Sequence, residues 1–207
     1  MLENLKKLNK DIPVYSIYDK EFAPFGRVVD LDVTELCKVA NTIAMPENGS
    51  CYKASEEKFE ALSLAKAVEN EFFGGVPAQS GYCWGYNTLM NATEWHTGSE
   101  INVAITDLVL ILGHIWDIED NKIDSSKFVA FYMPAGSAIE CYATSLHYCP
   151  CQVSDSGFKS YVGLPKDTNT DITHDNKNPL LFAKNKWLIA HEESNEYKRD
   201  GALLGIT

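Results

Sequence analysis

The feature that most constrains the fold is a series of short apolar segments after Gly75, separated by turn-forming residues. Segments of about 5 to 10 residues with such turns between them are typical of β-strands in a sandwich or barrel. They are PAQSGYCWGYN, TLMNATEWH, EINVAIT, DLVLILG, HIWDIED, KFVAFYMPAG, AIECYATSLHYCPCQV and YVGLP. The pattern predicts a mainly β fold of antiparallel strands. The polar stretch KDTNTDITHDNKNP, residues 166–179, is expected to be a surface loop.

The first 75 residues differ, because strand-like pieces (PVYSIY, GRVVDL) alternate there with helix-like ones. VTELCKVANTI predicts a helix that Asp32 could cap. ASEEKFEALSLAKAVENEFFGG predicts a second helix, with Ser55 as its cap and Gly74–Gly75 as its end. We therefore expect an N-terminal α/β cap over residues 1–75, packed on a β-barrel or sandwich over residues 76–207.

Composition limits the partners. The chain has 29 acidic and 18 basic residues and a formal net charge of −11, which disfavours nucleic acid and anionic membranes because both would repel it. The longest strongly apolar run, LVLIL, is too short to span a bilayer. No apolar region follows the basic residues of MLENLKKLNK, so we expect a cytoplasmic protein. Its 6 cysteines should then be reduced thiols packed as small apolar side chains.

The segment TLMNATEWHTGSE carries ligand-type side chains between apolar flanks. Strand alternation places Glu94 and His96 on one face, with Cβ atoms about 6 to 7 Å apart. The bend Thr97–Ser99 could turn Glu100 back toward them. An imidazole with two carboxylates fits a divalent cation. On this stretch alone, a solvated strand end is the simpler interpretation.

A second stretch, MPAGSAIECYATSLHYCP, begins with a tight turn at Pro134–Gly136 and carries Glu140 and His147 in an otherwise apolar strand. Buried carboxylates are rare unless they are paired or bind a metal. Seven extended residues cover about 23 Å, so both groups reach one ion only if the chain folds back near Ala143–Thr144. The residues themselves leave open which of the two is the ligand.

Together these motifs resemble the cupin superfamily, whose H-x-H-x3,4-E and P-x-G-x2-H motifs bring three histidines and a glutamate to one metal in a small β-barrel. Glu94 stands here at the first His, whereas His96 and Glu100 match the second His and the Glu. Ile139 occupies the His position of the second motif. More narrowly, YNTLMNATEWHTGSEINVAITDLVLILG, IECYATSLHYCPC and KNKWLIAH are similar to an uncharacterised bacterial domain-of-unknown-function family placed among the cupins, from about residue 12 onward.

The resemblance implies a double-stranded β-helix, the antiparallel barrel of the cupins, holding a divalent metal (Zn, Mn, Fe or Ni). The implied ligands are Glu94, His96, Glu100 and His147, with His147 chosen because an imidazole completes the usual cupin set. Cupin isomerases hold adjacent oxygens of an open-chain sugar on the metal while a carboxylate moves a proton between neighbouring carbons. Glu140 is the catalytic candidate for that step. The candidates for substrate binding are Gln79, Asn87, Tyr142 and Lys186.

Three functions remain open. The first is a metal-dependent enzyme on a small, sugar-like substrate, with isomerase, epimerase or lyase chemistry. The second is a non-catalytic sugar-binding module, which the missing first histidine and the shifted second motif favour. The third is a metal-dependent dioxygenase. Such enzymes hold their metal with two histidines and one carboxylate, and His96, His147 and Glu100 could supply this set. Because cupin-like barrels often pair, we expect a homodimer.

Overall fold

The computed structural model describes residues 1–207, and it is built mainly from β-strands with a few short helices. The helices are α1 (Leu2–Leu8), α2 (Thr34–Asn41), α3 (Glu57–Glu60), α4 (Ser63–Ala67) and α5 (Asn195–Lys198). None of them is long and apolar enough to cross a membrane.

The strands are short, and most of them have five residues or fewer. They are β1 (Val14–Ser16), β2 (Gly26–Val28), β3 (Ser50–Lys53), β4 (Ala78–Gly85), β5 (Ala92–Trp95), β6 (Glu100–Ala104), β7 (Leu108–His114), β8 (Val129–Met133), β9 (Ala138–Cys141), β10 (Ser145–Leu146), β11 (Cys151–Gln152), β12 (Phe158–Pro165), β13 (Leu181–Ala183), β14 (Lys186–Ala190) and β15 (Leu203–Leu204).

These strands form three sheets. A six-stranded sheet has the order β2-β9-β6-β12-β4-β3, and a five-stranded sheet has the order β1-β8-β7-β10 with β11 also on β7. A four-stranded sheet has the order β13-β14-β15 with β5 also on β14. All pairs are antiparallel except β1–β8 and β14–β15. The prediction of a mainly β fold with antiparallel sheets is therefore confirmed.

One apolar cluster of 23 buried residues joins the two larger sheets. The six-stranded sheet contributes Trp84, Ile101 and Tyr161, and the five-stranded sheet contributes Leu108 and Phe131. Burial of such large side chains on both facing sheets supplies most of the driving force for packing them together. The candidate ligands lie at one end of this core, where the third sheet meets the other two.

The first 75 residues extend the sheets as well as covering them. β1 pairs with β8, β2 pairs with β9, and β3 pairs with β4. Strand β3 has no clear sequence signal, because its residues SCYK are mostly exposed. The boundary at residue 75 stays a prediction about chain organisation.

The prediction of one long helix after Ala54 is wrong. The segment forms α3, α4 and a single π-helical stretch at Val68–Phe72, because Leu62 adopts an extended conformation between the first two. Glu56, and not Ser55, caps α3, since its carboxylate accepts a hydrogen bond from the Lys58 amide at 3.3 Å. The predicted end is confirmed, with Gly74 and Gly75 at φ 60° and 85°.

Two further predictions can be compared with the structure. HIWDIED is not a continuous strand, because β7 ends at His114 and Ile115–Asp117 forms a 3-10 turn. The His114 ring stacks on both Phe25 and Trp116. The stretch 166–179 is a loop, as predicted, and Asp167 and Asn169 in it have φ values of 68° and 69°.

Gly81 determines how closely β3 approaches β4. A Cβ atom at this position would lie 1.9 Å from the Lys53 carbonyl oxygen and 2.5 Å from that of Ala54. We expect Gly81→Ala to lower the free energy of unfolding by about 1–3 kcal/mol, because backbone atoms cannot move aside easily. Urea denaturation would measure the change.

Gly163→Ala is the matched control on the neighbouring strand. Its Cβ atom would meet side chains only, at 3.0 Å from the Tyr161 hydroxyl and 3.2 Å from Val68. We expect Gly163→Ala to lower the free energy of unfolding less than Gly81→Ala does. Equal decreases in the two variants would argue against the close contact between Gly81 and the backbone of β3.

Candidate metal centre

Backbone pairing brings the two candidate motifs together. The Glu94 amide donates to the His147 carbonyl oxygen at 2.7 Å, and the His147 amide donates to the Glu94 carbonyl oxygen at 3.0 Å. The chain reaches this point by a turn after β9, where the Ser145 amide donates to the carbonyl oxygen of Tyr142 at 2.8 Å. The turn lies where folding back was required for His147 to approach the first motif. Glu100 begins β6 directly opposite Cys141.

Four side chains converge at this end of the core, and all four are buried. His96 Nε2 lies 3.6 Å from Glu94 Oε1 and 3.7 Å from Glu100 Oε2. His147 Nε2 lies 3.3 Å from the same Glu100 oxygen. The ligand-type atoms of Glu94, His96 and His147 are all within 4.8 Å of one another. One cation can therefore contact donors from both motifs.

The two imidazoles are oriented by backbone carbonyls. His96 Nδ1 lies 2.8 Å from the Asn185 oxygen, and His147 Nδ1 lies 3.0 Å from the Ser145 oxygen. A carbonyl only accepts, so each Nδ1 must carry the proton, and in a neutral ring the lone pair is then on Nε2. Both Nε2 atoms are buried without a hydrogen-bond partner. Metal-binding histidines are commonly oriented in this way, with the ring nitrogen that does not bind the metal donating to a carbonyl or carboxylate oxygen.

Ion pairs keep the two carboxylates charged. Burial alone would raise the pKa of Glu94, but attraction to Lys186 and His96 outweighs burial and holds this pKa far below its usual range. Lys186 Nζ contacts Glu94 Oε2 directly. Burial also opposes ionisation of Glu100, yet His147 and a 2.7 Å hydrogen bond from Asn102 lower its pKa.

The charge of Glu100 also changes the pKa of His147. Burial would lower its pKa, but the Glu100 charge outweighs burial and raises the pKa of His147 well above its usual value. Without a cation, the cluster is therefore internally neutralised, with Lys186 and protonated His147 opposite Glu94 and Glu100. A cation would displace the proton from His147 Nε2.

A cavity of about 230 Å³ opens onto this cluster. Glu94, Glu100, His147 and Lys186 line one side of it, and His96 lies behind them. The facing wall contains further polar and aromatic side chains that the sequence analysis did not connect with the site, namely Tyr52, Cys83, Tyr148, Cys149, Asn169 and Glu196.

Sequence alone gave little reason to choose these wall residues. Tyr52 lies on the unrecognised strand β3, directly opposite Cys83 of β4. Tyr148 and Cys149 follow His147 in the sequence. That Cys149 lies near Cys83 could be inferred only by knowing that the turn after β9 returns the chain to β4. Glu196 comes from α5, almost fifty residues further on.

The structure places the predicted substrate-binding residues at different distances from the cavity. Lys186 lines it. Gln79 lies behind the wall, where its amide donates to the Thr168 carbonyl oxygen at 3.0 Å and reaches the Tyr52 hydroxyl at 3.5 Å. Asn87 holds the chain after His147, because its amide donates to the carbonyl oxygens of residues 149 and 150 at 3.2 and 3.1 Å. Tyr142 is not part of the lining.

Glu140 is not brought to the cluster. Its carboxylate accepts a hydrogen bond from Arg27 Nε at 2.7 Å, and it is not part of the cavity lining. The next residue, Cys141, is the one that approaches His147, as strand alternation requires. Glu140 therefore points away from the site in which the sequence analysis placed it.

Comparison with known proteins gave one close relationship and several distant ones. No curated protein sequence matches the chain. Similar solved structures include oxalate oxidase in complex with the substrate analogue glycolate, at 13% identity and a TM-score of 0.38, covering 58% of this chain and 52% of that one.

Two oxalate decarboxylases are similar at the same low level. The Bacillus subtilis structure described for its Mn(II) centres is 14% identical with a TM-score of 0.33, covering 55% of this chain and 27% of that one. The formate complex of the Lactobacillus farciminis enzyme is 13% identical with a TM-score of 0.32, covering 47% of this chain and 26% of that one. The chain thus spans about half the length of these proteins or less.

The close relationship is to a sequence family. A model of this family, the domain of unknown function DUF4867, matches residues 14–207. The match agrees with the resemblance to a domain-of-unknown-function family noted from the sequence. Because it covers nearly the whole chain, the protein belongs to the DUF4867 family.

Proposed function

We propose that the chain is a cupin-type, metal-dependent enzyme acting on a small, oxygen-rich substrate, with sugar isomerase, epimerase or lyase chemistry as the reaction class. The observation that carries the proposal is the pair of buried Nε2 atoms of His96 and His147. They have no hydrogen-bond partner and lie beside Glu94 and Glu100. Buried polar atoms without partners are uncommon and costly, and a bound cation would satisfy both.

The barrel is part of the same proposal. Two observations support it. The two larger sheets share one core, and the bridge between Glu94 and His147 connects β5 of the third sheet to the chain that follows β10. A closed cupin-type barrel would place the ligands inside its mouth, which is a common position for ligand sites in barrels.

Glu94, His96, Glu100 and His147 would hold the cation. Nitrogen and oxygen donors of this kind suit Zn, Mn, Fe or Ni. When bound, the cation would supply positive charge for two neighbouring substrate oxygens and for the oxyanion that develops on them. Because Lys186 remains next to Glu94, its charge and that of a divalent cation would together exceed the charge of the two carboxylates. The loaded cluster would therefore be net positive and favour electron-rich or anionic oxygens.

Chain residues would complete the chemistry. Lys186 is held at the cavity between Glu94 and the rings of Tyr148 and Phe182, at 5.7 and 5.9 Å from their centroids, where its ammonium group can donate to a substrate oxygen. Glu196 is the remaining carboxylate of the lining, beside Glu94 and Glu100. It takes, in this proposal, the proton-moving role that the sequence analysis gave to Glu140. A cavity of about 230 Å³ limits the substrate to a small metabolite.

The second candidate is a sugar-binding module that works without metal. The internal neutralisation of the cluster favours it, because Lys186 and protonated His147 already balance Glu94 and Glu100. In that case polar groups of the cavity would bind the ligand directly. Metal content distinguishes the two candidates.

Metal uptake is expected to depend on both imidazoles. Chelator-treated wild type should bind about one equivalent of Mn, Fe, Zn or Ni, measured by inductively coupled plasma mass spectrometry after gel filtration. His96→Ala and His147→Ala should weaken binding at least about tenfold, since each removes a direct ligand. His174→Ala, in the exposed loop, should leave uptake unchanged. Wild type that takes up none of the four metals would contradict the enzyme proposal.

Stability of the chelated protein should depend on pH through His147. The pKa of His147 is raised in the folded state above its ordinary 6.5, so its contribution is fully present below pH 6.5 and is lost as pH rises through the folded-state value. The urea midpoint should therefore fall as pH rises above 6.5 and through the folded-state pKa of His147. His147→Gln should flatten this dependence and His174→Gln should not. An unchanged slope in His147→Gln would argue against the pairing with Glu100.

Catalysis is expected to depend on Glu196. Metal-loaded wild type, incubated with a panel of aldoses and ketoses in deuterium oxide, should incorporate deuterium at the carbon next to the carbonyl, measured by NMR. Glu196→Gln should lower the rate by about 10²- to 10⁴-fold, the usual contribution of a general base, with metal content unchanged. Glu193→Gln, which changes an exposed glutamate of the same segment, is the control. Equal rates in the two variants would remove Glu196 from the mechanism.

A further inference from the structure

Cys83 and Cys149 form a thiol pair in the wall of the cavity. Their Sγ atoms lie 3.8 Å apart although the residues are 66 positions apart in sequence. Both residues line the same cavity as Glu94, Glu100 and His147, but neither has a part in the metal site or in the proposed chemistry. The metal site therefore does not account for the close approach of these two thiols.

The fold holds each thiol firmly. Cys83 lies in the middle of β4, between Tyr52 of β3 and Ser160 of β12. Cys149 is fixed through its carbonyl oxygen, which accepts from the Asn87 amide at 3.2 Å, and through its Sγ, which is 3.3 Å from the Ser50 hydroxyl. The contact between the sulfur atoms is therefore a property of the strand register and of the turn that returns the chain to β4.

This pair is distinct among the cysteines. All 6 are free thiols, and only Cys83 and Cys149 have their sulfur atoms within hydrogen-bonding distance of each other. Cys151, two residues further on, has its sulfur near Asn87 and Leu89 instead. Oxidation that joins two thiols within one chain should therefore select one pair.

We propose that Cys83 and Cys149 are a reversible oxidation site, at which a small peroxide entering the cavity produces an intrachain disulfide bond. One sulfur attacks a peroxide oxygen, the O–O bond breaks, and a sulfenic acid and one water are formed. The other sulfur then attacks the sulfenic sulfur, the S–S bond forms, and a second water leaves. The two thiols together lose two electrons and two protons, and hydrogen peroxide is reduced to two waters.

The disulfide would change the cavity itself. A disulfide needs its sulfur atoms at about 2.05 Å, whereas they are now 3.8 Å apart, so bond formation would draw the chain at Cys149 toward β4. That movement carries Tyr148, a lining residue, and pulls on His147 two positions earlier. We therefore expect the oxidised form to bind the cation more weakly, and this consequence, unlike the oxidation itself, rests on the proposed function.

The experiment uses full-length, chelator-treated protein exposed to a small excess of hydrogen peroxide. Free thiols are then alkylated, and the protein is digested without reductant for mass spectrometry. Wild type should fall from 6 reactive thiols to 4 and should give one linked pair of peptides containing Cys83 and Cys149. Treatment with a dithiol reductant should restore all of the thiols.

Three variants test the assignment. Cys83→Ser and Cys149→Ser should each abolish the linked peptide, whereas Cys151→Ser, whose sulfur contacts Asn87 and the Leu89 carbonyl instead, should keep it. A linked peptide that contains a different cysteine, or retention of all six thiols in wild type, would overturn the proposal. Because no metal is present, such a failure is separate from any failure of the metal site, which is measured by metal content alone.

Discussion

The candidate site depends on the two backbone hydrogen bonds between Glu94 and His147. They join the end of β5 to the chain that follows the turn after β9, and so place a carboxylate and an imidazole from distant parts of the sequence side by side. His96 follows by strand alternation, and the bend before Glu100 brings in the second carboxylate. If this pairing shifted by one residue, Glu94 or His147 would point to the opposite face.

The position of these ligands has an electrostatic cost that the surroundings offset. Isolated buried carboxylates are strongly unfavourable, but Lys186 contacts Glu94, and His147 lies 3.3 Å from Glu100. Asn185 supports the arrangement from its left-handed turn at φ 55°. Its carbonyl oxygen faces His96 Nδ1, and its side chain accepts from the Thr97 amide at 3.0 Å. Charge balance and orientation are thus built into the metal-free protein, and the orientation turns both Nε2 atoms toward the place where a cation would bind.

Sequence reasoning predicted local features well and long-range ones poorly. The alternation that puts Glu94 and His96 on one face is a property of a single strand, and so is the left-handed end at Gly74–Gly75. Whether Glu140 or His147 reaches the cluster depended on the exact residue at which the chain turns, which Tyr142 and Ser145 determine. Cys141 is the residue of β9 that approaches His147, so strand alternation turns Glu140 to the other face, where it pairs with Arg27.

Other features could not be inferred because they arise between elements. The thiol contact needs the register of β4 and the return of the chain after β10. The long predicted helix breaks at Leu62, where packing against the sheet outweighs a periodicity that on its own favoured a continuous helix. Resemblance to the cupins supplied what neither propensity nor spacing could, namely the expectation that His147 belongs with His96 and Glu100.

The central claim is that His96 and His147 bind one cation together, and X-ray absorption spectroscopy of zinc-loaded protein tests it most directly. The account predicts a first coordination shell of nitrogen and oxygen at about 2.0–2.2 Å, with scattering from two imidazole rings and no sulfur. His147→Ala should lose one ring from the spectrum. A shell with sulfur at about 2.3 Å would instead place the metal on the nearby thiols, and a shell without imidazole would contradict the account.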